Sequence, residues 1–136
     1  MGYTIAQAAK ISNLSCYTLR YYDKEGLLPF VERSESGYRE FSDDDLEWLV
    51  LINCLKNTGM PIKQIREFIQ LTVEGNETLR QRQQIFVEHR EAVLEQIAAL
   101  QKYLKKIDHK IDYYGKAYQE YLDGNPVPRN GCHQTD

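Results

Sequence analysis

Residues 77–121 contain no proline and a single glycine, Gly115, and this uninterrupted stretch limits the architectures open to the chain more than any other feature. Nothing in it breaks a helix. At 1.5 Å per residue a continuous helix here runs roughly 65 Å, too long to lie across a domain of this size. Leu79, Phe86, Val93, Leu100, Ile107, Tyr114 and Tyr121 recur at every seventh position, and Ile97, Leu104, Ile111 and Tyr118 supply the second seam position of a heptad in the later half. In the earlier half the matching positions are Gln83 and Arg90, so that part packs on the preceding module or lies near solvent. A lone amphipathic helix would expose this seam, which predicts a homodimer. A four-helix bundle within one chain needs other long helices, and too few are present.

Ahead of this stretch, residues 3–28 (YTIAQAAKISNLSCYTLRYYDKEGLL) read as two short helices joined by a tight turn. Thr4 caps a first helix that stops near Ser12 and Asn13, and Ser15 caps a second that runs to Gly26. Ile5, Ala8, Leu14 and Leu19 have the spacing to form the small core that locks such a pair at a steep angle. Tyr17, Thr18, Arg20 and Tyr21 are then left partly free on the second helix. The pattern is a helix-turn-helix, although an ordinary helical hairpin in a globular core has similar spacing.

The following segment, LLPFVERSESGYREF, has a polar tip at Arg33-Ser34-Glu35-Ser36-Gly37 between flanks carrying Phe30, Val31, Tyr38 and Phe41, which predicts a short hairpin or wing. Ser42 or Asp43 then caps a third helix that ends before Gly59. Its Leu46, Trp48, Leu49, Val50, Leu51, Ile52 and Leu55 are apolar on nearly every side, so several neighbours must cover it, a second chain among the candidates. Pro61 opens a fourth helix with Ile62, Ile65, Phe68, Ile69 and Leu71 on one stripe. The expected organisation is mostly α: a winged helix-turn-helix domain over 1–75, a long dimerisation helix over 76–122 and a flexible tail over 123–136. Within the first domain the helix-turn-helix occupies about 4–25, the wing about 28–41, and two further helices 43–58 and 61–74.

Charge argues against nucleic acid at first sight, because the chain carries −3 overall, and its first 74 residues hold 8 basic against 11 acidic side chains. Phosphate neutralisation needs Lys and Arg, so only clustering can support it. Arg20, Lys24, Arg33, Arg39 and Lys63 can form such a stripe if Asp43, Asp44, Asp45 and Glu47 sit at a helix N-terminus on another side. Cys16, Cys54 and Cys132 are an odd number at unrelated spacings, which fits reduced thiols in a cytoplasmic, nucleoid-associated protein. No signal order or membrane span is present, and no nucleophile-base-acid set or cofactor loop points to an enzyme. No cofactor is expected.

Three segments together carry a more specific signal: TLRYYDKEGLL at 18–28, Gly37-Tyr38-Arg39 with Phe41, and Gly59-Met60-Pro61-Ile62. They resemble the MerR family of transcription regulators over the first 70 or so residues, with the long helix in the position of that family's dimerisation helix. The resemblance implies a dimer joined by an antiparallel coiled coil, binding a palindromic double-stranded promoter and distorting it for RNA polymerase. It implies DNA contacts from Thr4, Tyr17, Thr18, Arg20, Tyr21 and Tyr22, from Arg33, Tyr38 and Arg39 in the wing, and from Lys63. Core packing is the competing reading for each tyrosine, Tyr22 above all.

Metal-sensing members of that family place cysteines at the start of the long helix and in a loop after it, and neither is found here. Cys132 with His133 falls short of a closed ligand set, so no metal site is expected. The tail is too short for a drug-binding domain. The window LVLINCLKNTGMPI is similar to the NmlR/AdhR branch, which implies that Cys54 responds to a reactive aldehyde or other electrophile. Cys16, in the first turn of the second helix, is a rival thiol. Two alternatives stay open: Cys54 as a buried structural residue with an apolar ligand held near Tyr113, Tyr114, Tyr118 and Tyr121, or a coiled-coil adaptor that binds protein. His89, His109 and His133 show no ligand spacing and read as solvated.

Overall fold

The computed structural model describes residues 2–127, and its order is α1 (Ile5–Ser12), α2 (Cys16–Lys24), β1 (Glu32–Arg33), β2 (Arg39–Glu40), α3 (Asp43–Asn57), α4 (Ile62–Glu74) and α5 (Leu79–Leu122). A single 3-10 turn, Asn76–Thr78, leads into α5. The helix-turn-helix, wing and long helix of the sequence reading are all present. The expected tail begins inside the described residues but lies mostly outside them, as do Cys132 and His133.

Side chains set the helix starts. The Thr4 hydroxyl accepts from the Gln7 amide while the Gln7 side chain accepts from the Thr4 amide, closing a capping box on α1. Ser15 accepts from the Thr18 amide at the start of α2, and Ser42 and Asp45 form a second capping box on α3. Between α1 and α2 the chain reverses at Asn13, whose φ of 56° is left-handed and which bonds back to Ala9 and Lys10. Asparagine is among the few side chains that tolerate that conformation. Gly26, at φ 78°, ends α2 and lets the Leu27 amide donate to the Tyr22 carbonyl.

The strands are paired antiparallel, with Glu32 opposite Glu40 and Arg33 opposite Arg39. An isolated bridge between Tyr3 and Phe41 staples the N-terminal segment to the end of the wing. One core gathers Ala8, Leu19, Tyr22, Leu27, Phe41, Leu49, Ile52, Ile65 and Ile69 from α1 to α4 and the segments flanking the wing. Four rings add a continuous column: Phe30 to Trp48 at 5.2 Å, Trp48 to Phe68 at 5.8 Å, and Phe68 edge-on to Phe86 at 5.0 Å between centroids.

That column moves the domain boundary. The chain forms two compact units, 1–90 and 91–136, rather than dividing at residue 75. The first turns of α5 belong to the N-terminal unit because Ile85 is buried in its core and Phe86 packs against it. Phe86, assigned by its heptad position to the dimer seam, is therefore engaged within its own chain. His89, read as solvated, is half-buried, with Nε2 2.7 Å from the Thr58 hydroxyl. Tyr22 is completely buried, and its hydroxyl lies 3.5 Å from Asn53 Oδ1. The contact with nucleic acid assigned to Tyr22 is thus corrected to a core role, and desolvation raises its pKa above the ordinary tyrosine value.

Two substitutions test this packing by urea unfolding. Phe68→Ala removes the centre of the ring column and should lower stability by about 3–5 kcal/mol. Tyr22→Phe keeps the buried ring and loses only a long hydrogen bond, so stability should fall by no more than about 1 kcal/mol.

Candidate nucleic-acid interface

Helix α2 sorts its side chains by period. Leu19 and Tyr22 turn inward with no exposure, while Tyr17, Arg20 and Lys24 stand out and Tyr21 is half-buried. Tyr17 is 79% exposed, far more than a packed aromatic, so α2 presents a tyrosine and two cations to the outside. Tyr21 lies beneath the Lys56 ammonium, 5.3 Å from its ring centroid, and Lys56 also covers Tyr22 at 5.5 Å. Thr18 is half-buried, its hydroxyl 2.9 Å from that of Ser15, and Thr4 serves α1 as its cap.

The wing offers a second group. Tyr38 is 76% exposed, and Arg33 is exposed with Nη1 donating to the Gly37 carbonyl at 2.7 Å, which braces the tip while leaving other guanidinium donors outward. Arg39 differs. Its Nη2 and Nε donate to the two carboxylate oxygens of Asp23 at 2.6 and 3.2 Å, and its Nη1 donates to the Val31 carbonyl. Arg39, expected as a free cation, is thus engaged within the fold as a link between α2 and the wing. The pair was legible only as two separate charged residues, since 16 positions separate them. Lys63, on the first turn of α4, is exposed.

Some of the acids that weighed against nucleic acid are engaged elsewhere, while Glu32, Glu35 and Glu40 stay exposed on the wing. Asp45 is 7% exposed and closes the α3 capping box; Asp43 accepts from the Tyr3 hydroxyl at 2.8 Å, which raises the tyrosine pKa. With Asp44 they fill the first turn of α3, where the helix dipole favours negative charge. Glu25 holds Arg66 by its carbonyl at 2.7 Å and by an ion pair at 3.6 Å. Among the described residues Arg20, Lys24 and Arg33 are held in no ion pair, so these three cations stay available on the surface.

Cys54 is exposed on α3, whereas Cys16 is half-buried and packed beside the core. The Cys54 carbonyl accepts from the Thr58 hydroxyl at 2.7 Å, and the Thr58 oxygen also lies 2.7 Å from His89 Nε2. Two hydrogen bonds thus join the Cys54 turn of α3 to the start of α5. Sequence reasoning missed this link, for which Thr58 at the end of a helix was the only local sign. Among the described residues no group of three or more His, Cys, Asp or Glu is placed to hold a metal ion, and no helix is long and apolar enough to cross a membrane.

Residues 3–72 match the model of the MerR HTH family regulatory proteins, and residues 46–110 match the model described as MerR, DNA binding. An HTH-type transcriptional regulator of Haemophilus influenzae is 49% identical over 117 residues, 86% of this chain and 87% of that one. The HTH-type transcriptional regulator AdhR of Bacillus subtilis is 38% identical over 67% of this chain and 65% of its own. Among solved structures, HiNmlR, a MerR-family regulator lacking the sensor domain and bound to promoter DNA, superposes with a TM-score of 0.81 at 48% identity, covering 88% of this chain and 94% of that one. A MerR-family regulator from Listeria monocytogenes gives a TM-score of 0.82 at 32% identity over 90% and 95% of the two chains. This chain therefore belongs to the MerR family, as a DNA-binding transcription regulator close to NmlR and AdhR, and is not an enzyme.

Proposed function

We propose that two copies of this chain, paired through α5, bind a palindromic promoter with α2 in the major groove and the wing on flanking phosphates, and that modification of Cys54 by a reactive aldehyde or related electrophile switches on transcription by RNA polymerase. The site of action is the cytoplasmic nucleoid. The observation that carries the reading is the placement of Cys54: exposed on α3, with its own turn bonded through Thr58 to His89 of α5. Adduct formation is balanced. The Cys54 sulfur adds to the aldehyde carbonyl carbon, the carbonyl π pair moves to oxygen, and that oxygen takes up the proton released by the thiol. The adduct's bulk on α3 then bears on the Thr58–His89 link, and a shift at the start of α5 alters the separation of the two DNA-reading arms.

Pairing through α5 is supported by its own surface. Leu100 and Ile111 are 66% and 67% exposed in the single chain, and Ile97, Leu104, Ile107, Tyr114 and Tyr118 are likewise exposed. So continuous an apolar face calls for a partner, and heptad spacing suits a second copy of the same helix. Leu79 is exposed as well, and Val93 half-buried. An apolar ligand at the tyrosines of this seam competes with that pairing for the same surface, and the exposure of Cys54 in the single chain favours the thiol reading over it. An adaptor role is set aside by membership of the family.

Promoter-driven transcription with and without a small aldehyde tests the effector. Induction should vanish in Cys54→Ser and persist in Cys16→Ser, with intact-protein mass showing the adduct only where Cys54 is present; induction retained in Cys54→Ser removes the thiol from the mechanism. Ile107→Asp places a charge in the seam, and sedimentation should then show a monomer that no longer binds the full palindrome.

A further inference from the structure

Asp23 is an acid on the helix proposed to meet DNA, where an unpaired carboxylate opposes phosphate binding. Its geometry gives a reason for its presence. One guanidinium, that of Arg39, reaches both Asp23 oxygens and the Val31 carbonyl, so it joins the last turns of α2 to β2 and to the segment leading into β1. The pair is largely shielded, with side chains 24% and 28% exposed. The wing needs such a tether. Its two strands are two residues each, too short to hold a hairpin's direction by themselves, and Arg33 lies opposite Arg39 in the ladder, a like-charge pairing that Asp23 offsets. On the other side of the same helix end, Arg66 of α4 donates to the Glu25 carbonyl, so the C-terminal end of α2 is held from both the wing and α4.

We propose that Asp23 and Arg39 are positioning residues for DNA binding, holding the wing at a set angle to α2 so that both meet one duplex together, and that neither is a phosphate contact. This rests on the reading of α2 and the wing as the DNA-contacting elements. A wing free to swing must be ordered at the moment of binding, and that ordering is lost from the affinity. The prediction has a sign opposite to simple electrostatics, because removing the acid should weaken binding rather than strengthen it.

Operator binding by the full chain, followed by fluorescence anisotropy across a salt series, separates the readings. Asp23→Ala should bind about tenfold more weakly, the scale of a lost charge-assisted bidentate pair, with an unchanged salt slope. Arg39→Lys keeps the charge but not the fork and should weaken binding similarly, and the double variant Asp23→Ala/Arg39→Ala should be no weaker than either single alanine variant. Hydrogen exchange should quicken at the Ser34 amide, bonded to the Tyr38 carbonyl in the wing, with α3 and α4 amides unchanged, which excludes general unfolding. Tighter binding by Asp23→Ala overturns the proposal. So does normal binding by Arg39→Lys together with a slope shallower by about one in Arg39→Ala, the signature of a phosphate contact. Arg20→Ala is the control: it should lower both affinity and slope, and if it changes neither, the assignment of α2 to DNA fails and takes this proposal with it.

Discussion

The contact on which the N-terminal unit depends is the column of rings from Phe30 through Trp48 and Phe68 to Phe86. Each ring comes from a different element: the segment before the wing, α3, α4 and the start of α5. Aromatic side chains bury large areas and favour tilted or edge-on contacts, so the column fixes four elements together at modest conformational cost. It also explains why the unit extends to residue 90 rather than ending with α4.

Around that column, polar contacts orient rather than drive. Asp23 with Arg39, Glu25 with Arg66 and Thr58 with His89 each join two elements that the core has already brought near. Their worth lies in direction, since partly exposed ion pairs add little net stability. The same principle bears on part of the acidic charge. Asp45 is taken up in capping a helix and Asp23 in an internal pair, while Arg20, Lys24 and Arg33 remain outward, with Glu32, Glu35 and Glu40 exposed on the wing.

Much of this was legible along the chain because it is written in local chemistry. Thr4, Ser15 and Ser42 announce helix starts by the hydrogen bonds they offer, Gly26 announces an end, and the proline-free heptads announce α5. What was not legible is what joins residues far apart. Tyr22 stands beside Tyr21 in sequence and looks equally available, yet one is buried and the other half-covered by Lys56, because helical phase decides which side meets the core. Arg39 reads as a free cation until the fold sets Asp23 beside it. Phe86 fits its heptad, and only the position of Phe68 shows that its ring is already engaged.

By itself, then, the sequence determined the elements, their order and the presence of a long apolar seam, since capping, periodicity and helix breaking act over a few residues. The tertiary structure alone decided which cations are spent within the fold, which tyrosines are available, and that Cys54 lies exposed with its helix turn tied to α5. Those outcomes depend on distance in space, and neither charge pairing nor burial leaves a mark on the residues until the chain has folded.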